Sequence, residues 1–260
     1  MGDAHIGDTR LHVGDTGDGP PLVLIHGFPL DGRVWDEVVP LLPGRRVIVP
    51  DLRGFGRSQP AGDFTIGSLA CDVAALIVAM GYEKAAVAGL SMGGYVAQEM
   101  LRVAPQVVDR LILIDTKPDS DNVEAQNKRI AMANLATEHG SEAVADAMLP
   151  NMLAGDAEPA VRRRLREIMT SQRPETLARA CIAMRDREDF VALLQSAGCP
   201  IGLLVGEHDA ITPPVLFESL HARLKSARLH VIPGAGHMAP LERPALVAEA
   251  LLMLTSDGNS

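Results

Sequence analysis

The 260-residue chain reads as an α/β protein, a mostly parallel sheet with helices on both faces, interrupted late by an all-helical segment. Three observations carry that reading. Short, continuously apolar runs recur along the chain, stretches with helical spacing separate them, and residues 116–198 contain no convincing strand. Apolarity that is continuous rather than alternating marks strands buried on both faces, the condition of a parallel sheet covered by helices.

Taken in order, residues 22–25, 47–49, 85–88, 111–114 and 201–205 are the buried strands. Residues 66–80, 92–103, 214–224 and 239–254 carry helical spacing. Gly81 stands where a helix C-cap glycine belongs, and Pro105 stops the second helix. The segment 116–198 divides into about four helical patterns at Pro150, Gly155, Pro159 and Pro174. A helical insertion between two strands of such a sheet reads as a lid over the strands' C-terminal ends. Met132, Met148, Met152, Met169 and Met184 lie in it. Packing of lid on core is the first reading of these methionines, and an adaptable apolar substrate wall the second. The run Arg162-Arg163-Arg164-Leu165-Arg166 reads as a solvated helix face, with a carboxylate clamp as the alternative.

Chemistry concentrates at Gly89-Leu90-Ser91-Met92-Gly93-Gly94, between a strand and a helix. A serine on that sharp turn is lifted above the sheet, the glycines allow close backbone approach, and the helix N-terminus favours negative charge beside it. A hydroxyl becomes a useful nucleophile only when a base removes its proton. Two post-strand loops provide the partners: Asp209 in Gly206-Glu207-His208-Asp209, and His237 in Pro233-Gly234-Ala235-Gly236-His237. The order Ser91, Asp209, His237 is one of the known triad orders. Asp115, at the end of another strand, is an alternative acid with the weaker surrounding segment; Glu207, His208, His221 and His230 read as structural. A developing oxyanion also needs preset donors, and the backbone N–H groups of Phe28, in His26-Gly27-Phe28-Pro29, and of Met92 are the candidates.

Together these segments resemble the α/β-hydrolase superfamily, from about residue 22 to 254. The likeness is closest to the branch of small carboxylesterases, enol-lactone hydrolases and cofactor-free haloperoxidases (perhydrolases). The loop Asp51-Leu52-Arg53-Gly54-Phe55-Gly56-Arg57-Ser58 matches that family's D-x-R-G-x-G-x-S pattern. The resemblance implies a sheet of about eight strands with a helical cap inserted after the sixth. On this division 1–115 and 199–260 form the core and 116–198 the cap. It implies a serine hydrolase acting on a small carboxylic ester or lactone through an acyl-enzyme. Perhydrolysis and carbon–carbon bond hydrolysis by the same triad are alternatives, and a non-catalytic small-ligand receptor is a further one. Branches with an aspartate at the elbow are excluded by Ser91, and the cap lacks the tryptophan often found in enol-lactone hydrolases.

Composition narrows the classes further. With 24 basic and 33 acidic residues the net charge is −9, and aromatics are 3%, which disfavours nucleic-acid binding. No dinucleotide fingerprint, phosphate loop or His/Cys cluster occurs, so neither cofactor nor metal is implied. No apolar run approaches the ~20 residues of a membrane span. The polar N-terminus lacks the regions of a secretory leader, and Cys71, Cys181 and Cys199 read as reduced thiols of a cytoplasmic protein.

Overall fold

The computed structural model describes residues 2–224 and 226–256. Its sheet has eight strands in the order β1-β2-β4-β3-β5-β6-β7-β8. The chain opens with β1 (Gly2–Ile6) and β2 (Thr9–Thr16), an antiparallel hairpin that joins β4 antiparallel. Continuous apolarity does not mark this hairpin, because its buried residues alternate with less buried ones. Next come β3 (Pro21–Ile25), β4 (Arg46–Pro50), α1 (Ile66–Ala79), β5 (Ala85–Leu90), α2 (Met92–Val103) and β6 (Val108–Ile114). From β3 to β8 the strands pair parallel. Thr65 caps α1 reciprocally with Ser68, and Gly81 follows it with φ 85°, the left-handed geometry anticipated for a C-terminal glycine.

Four helices fill the crossover from β6 to β7: α3 (Val123–Met148), α4 (Pro159–Thr170), α5 (Pro174–Arg185) and α6 (Val191–Gln195). Gly140, with φ 80°, breaks α3 into 123–139 and 141–148. The remainder is β7 (Ile201–Gly206), α7 (Pro214–Arg223), β8 (Arg228–Ile232), α8 (Ala239–Glu242) and α9 (Pro244–Thr255). The single helix expected over 239–254 is therefore two. Pro244 has no N–H to donate and disfavours helical geometry at Arg243, which sits at φ −139°.

Period-two alternation sends the strands' side chains to two cores. Val23, Ile25, Val87, Leu111 and Leu203 face the side of α1 and α2, while Leu22, Leu24, Ala88, Ile112 and Leu204 face that of α9. The insertion joins both: Leu177 and Cys181 of α5 pack in the first, Leu165, Ile168 and Met169 of α4 in the second. Met152, Met169 and Met184 are buried in these cores and Met132 and Met148 partly so, which agrees with the packing reading. Along the arginine run, Leu165 is buried, Arg164 reaches Asp36 at 2.6 Å and Arg166 pairs with Asp146. The cysteines are unpaired thiols, and burial raises Cys181 to about 12. Among the described residues no helix is long and apolar enough to cross a membrane.

The strand order places the site. Strand β3 lies between β4 and β5, so the chain leaves it towards one side and leaves β5 towards the other. Open α/β sheets bind ligands outside the strand ends at such a reversal. Here the segments at that point are His26-Gly27-Phe28 after β3 and Ser91 after β5.

Candidate active site

Ser91 occupies the turn between β5 and α2 at φ 52°, ψ −114°, a conformation a side chain rarely adopts. Its neighbours hold it there. The Ser91 N–H donates to Ile114 O (2.9 Å), while the Ser91 carbonyl accepts from Gly94 N (2.9 Å) and Thr116 Oγ1 (2.8 Å). Gly93 is required by contact rather than by dihedral: a Cβ there would come 2.5 Å from Ile25 O and 2.6 Å from His26 O, both main-chain atoms of the β3 end. The backbone after β3 thus runs directly against the start of α2, with Gly27 packed on Ser91 Cβ.

His26 pins that backbone. Its Nε2 accepts from Leu52 N–H at 3.0 Å, so the ring proton sits on Nδ1 and donates to Gly27 O at 2.9 Å. Burial lowers its pKa, and the imidazole is neutral. The Asp51 to Ser58 loop below is tied by Asp51, whose oxygens accept from Gly32 N (2.7 Å) and Arg57 N (2.8 Å).

The loops after β7 and β8 bring Asp209 and His237 to Ser91. His237 Nδ1 lies 2.8 Å from Asp209 Oδ2, and His237 Nε2 lies 3.0 Å from Ser91 Oγ. Asp209 also accepts from Ile211 N (2.7 Å), Thr212 N (2.9 Å) and Thr212 Oγ1 (2.6 Å). Burial alone would raise its pKa, but the adjoining imidazole and these donors hold it at about 2. An ionised Asp209 only accepts, so Nδ1 carries the proton and Nε2 is left to accept from the serine hydroxyl.

Asp115, the alternative acid, does not join this line. It is fully buried, its Oδ1 accepts from Gly206 N at 2.8 Å, and its Oδ2 has no hydrogen-bond partner among the described residues. Burial, then the charge of Asp209, push its pKa well above the usual carboxylate range. Of the residues read as structural, Glu207 accepts from Gly234 N (2.9 Å) in the His237 loop and His221 reaches Ala227 O (3.0 Å). Thr212, Thr116 and Glu242 each act on a loop through contacts that sequence spacing does not announce.

A cavity of about 750 Å³ opens elsewhere, between β2, the turn at Gly32 and Arg33, and Arg164 and Ser171 of the insertion. Asp31, Arg33, Asp36 and Arg164 line it and are engaged with one another, and neither Ser91 nor His237 borders it. Among the described residues no group of three or more His, Cys, Asp or Glu is arranged to hold a metal ion.

An eight-stranded, mostly parallel sheet with a serine on the β5–α2 turn defines the α/β hydrolases. The chain belongs to the alpha/beta hydrolase family, whose pattern matches residues 22–250. Among solved structures it is similar to a thermophilic esterase from Thermogutta terrifontis, at 37% identity and a TM-score of 0.94 over 96% of this chain and 97% of that one. It is also similar to the enol-lactonase from Burkholderia xenovorans LB400, at 26% identity and a TM-score of 0.90 over 98% and 100% of the two chains. The pimeloyl-[acyl-carrier protein] methyl ester esterase of Nitrosomonas europaea is 30% identical over 90% of this chain and 95% of that protein.

Proposed function

We propose that the chain is a cytoplasmic serine hydrolase that cleaves a small carboxylic ester or lactone through an acyl-enzyme. The observation that carries the reading is the hydrogen-bonded line from Ser91 Oγ through His237 to Asp209. In the first half-reaction His237 Nε2 takes the serine proton as Oγ attacks the carbonyl carbon, and the imidazolium is stabilised by the Asp209 carboxylate. The oxyanion is held by the backbone N–H groups of Phe28 and Met92, the second at the N-terminus of α2. His237 then returns the proton to the leaving alkoxide. In the second half-reaction it activates a water that releases the acid.

The insertion, 116–198, serves in this reading as a cap over the strand ends, with 1–115 and 199–260 as the catalytic core. The names of the relatives support the substrate class: two are esterases and one is an enol-lactonase. The test is hydrolysis of short p-nitrophenyl esters and simple lactones by wild type and Ser91→Ala, with fluorophosphonate labelling alongside. Wild type is expected to turn over and to label. Ser91→Ala is expected to lose about 10⁴–10⁶-fold in kcat and all labelling. Equal rates in the two proteins would overturn the mechanism.

A further inference from the structure

The loop of residues 233–238 has to hold an imidazole within hydrogen-bonding distance of Ser91, and it is gripped from two sides. On the sheet side His208 N donates to Ala235 O at 2.8 Å, and a Cβ at Gly206 would come 2.7 Å from Ala235 O. On the other side lies the insertion. Met238 N donates to Met152 O at 3.1 Å, and a Cβ at Gly236 would come 2.6 Å from the Leu153 carbonyl carbon. Gly236 is a glycine because two chains close on it.

One side chain bridges the grip. Glu242 of α8 is buried, its Oε1 accepts from Gly236 N at 2.9 Å, and its Oε2 accepts from Ala154 N at 2.8 Å. The first donor belongs to the residue before His237, the second to the insertion. A carboxylate has an oxygen for each. A carboxamide has one oxygen and an NH2 that faces the other donor, and a methyl group serves neither.

We propose that Glu242 is a positioning residue that ties the His237 loop to segment 152–154 of the insertion, so that the placement of the insertion sets the placement of the imidazole. Segment 152–154 is then one of the points at which the insertion is held to the core. The proposal rests on the triad reading above for its kinetic consequence, though not for its structural one.

The experiment compares wild type with Glu242→Gln, Glu242→Ala and Ala154→Pro, the last replacing the same N–H, from the insertion side, by a ring carbon that also pushes the Glu242 carboxylate and Gly236 away. Two readouts are taken on protein shown to be folded by circular dichroism. These are kcat and KM for a p-nitrophenyl ester, and the downfield proton resonance of the His237–Asp209 hydrogen bond. A displacement of about 1 Å at a reacting group can cost ~10²-fold. Glu242→Ala and Ala154→Pro are therefore expected to lose about 10–100-fold in kcat with KM within about threefold, Glu242→Gln less, and the resonance to shift or broaden in all three. A wild-type resonance and kcat in the Glu242 variants, with loss only in melting temperature, would overturn the proposal. Should Ala154→Pro not fold, the two Glu242 variants decide alone. The resonance separates this outcome from failure of the triad reading, which would show instead as activity retained in Ser91→Ala.

Discussion

Asp115 and Asp209 stand just beyond the ends of adjacent parallel strands, and burial together with the negative charge of Asp209 pushes the Asp115 carboxyl well above the usual carboxylate range while Asp209 is held at about 2. Two neighbouring buried carboxylates repel each other when both are ionised, so the environment divides them. Asp209 has four donors, counting the His237 ring, whereas Asp115 has Gly206 N–H and full burial. The two positions considered for the acid are therefore a charged member of the line to Ser91 and a neutral neighbour that supports it.

The neutral state of Asp115 predicts a pH-dependent gain from Asp115→Asn. An asparagine keeps the acceptor for Gly206 N–H and brings no charge beside Asp209, and the position has φ 46°, which Asn tolerates better than most residues. In wild type the folded pKa is raised, so above about pH 4 the unfolded chain releases a proton that the folded chain keeps. Wild-type stability falls as pH rises through that window, and the variant lacks this slope. Thermal melts should show Asp115→Asn above wild type at pH 8 and level with it near pH 4. Activity should stay within about threefold. A difference in melting temperature independent of pH would mean that Asp115 is charged.

Asp209→Asn should behave in the opposite way. Without the carboxylate, His237 takes the wrong tautomer for accepting the serine proton, and kcat should fall about 10⁴-fold with the fold intact. The stability slope also has the other sign. A folded pKa of about 2 contributes fully above the unfolded value near 4, and the contribution is lost as pH falls towards 2. Acid titration followed by tryptophan fluorescence should show wild type losing about 2–3 kcal/mol in that window beyond what Asp209→Asn loses.

What the sequence discloses and what it withholds divide along the reach of the contacts. Strands β3 to β7 are legible because burial on both faces leaves an unbroken apolar run. Ser91, Asp209 and His237 are legible because each sits in a glycine-bearing turn after a strand, a local feature. Hairpin β1–β2 is not, since its half-buried residues alternate with His, Arg and Asp. The break at Pro244 is visible in the letters, but apolar spacing on both sides of it outweighs it in reading. Glu242 is silent because its partner Ala154 is 88 residues away, and His26 because its role depends on Leu52, 26 residues on. The charge states of Asp115 and Asp209 differ through packing alone.

The base of the insertion is held by a buried ion pair with a large expected cost of disruption. Arg187 lies with its guanidinium 2.9 Å from Asp121 and 4.1 Å from the centre of the Tyr95 ring, both charged groups almost wholly shielded from water. Arg129 (3.0 Å) and Lys117 (3.4 Å) also reach Asp121. Asp121→Asn leaves Arg187 buried without its counter-charge, which should cost about 3–5 kcal/mol in urea unfolding. Exchanging Asp121 and Arg187 together for apolar residues of similar volume should cost less, because the wholly shielded guanidinium is gone and only the partly exposed Arg129 and Lys117 lose their partner. Equal losses in the single and double variants would show that packing rather than charge holds this corner.

One substitution, glycine to alanine, should have opposite signs at two helical positions. At Gly67, near the start of α1, an added Cβ meets nothing nearer than Thr65 Oγ1 at 3.4 Å, and alanine restrains the unfolded chain; a gain of about 0.5–1 kcal/mol is expected. At Gly93 the added Cβ would lie 2.5 Å from Ile25 O and 2.6 Å from His26 O, main-chain atoms of a central strand end that have no room to give. Overpacking there should cost about 1–3 kcal/mol and push α2 away from β3. That displacement also separates the two backbone segments proposed to hold the oxyanion, so kcat should fall by about 10²–10³-fold in whatever fraction folds. Melting curves and active-site-titrated kcat for the two variants check both halves. A Gly93→Ala protein that melts lower yet keeps wild-type kcat per labelled site would remove the Phe28 and Met92 amides from the proposed mechanism.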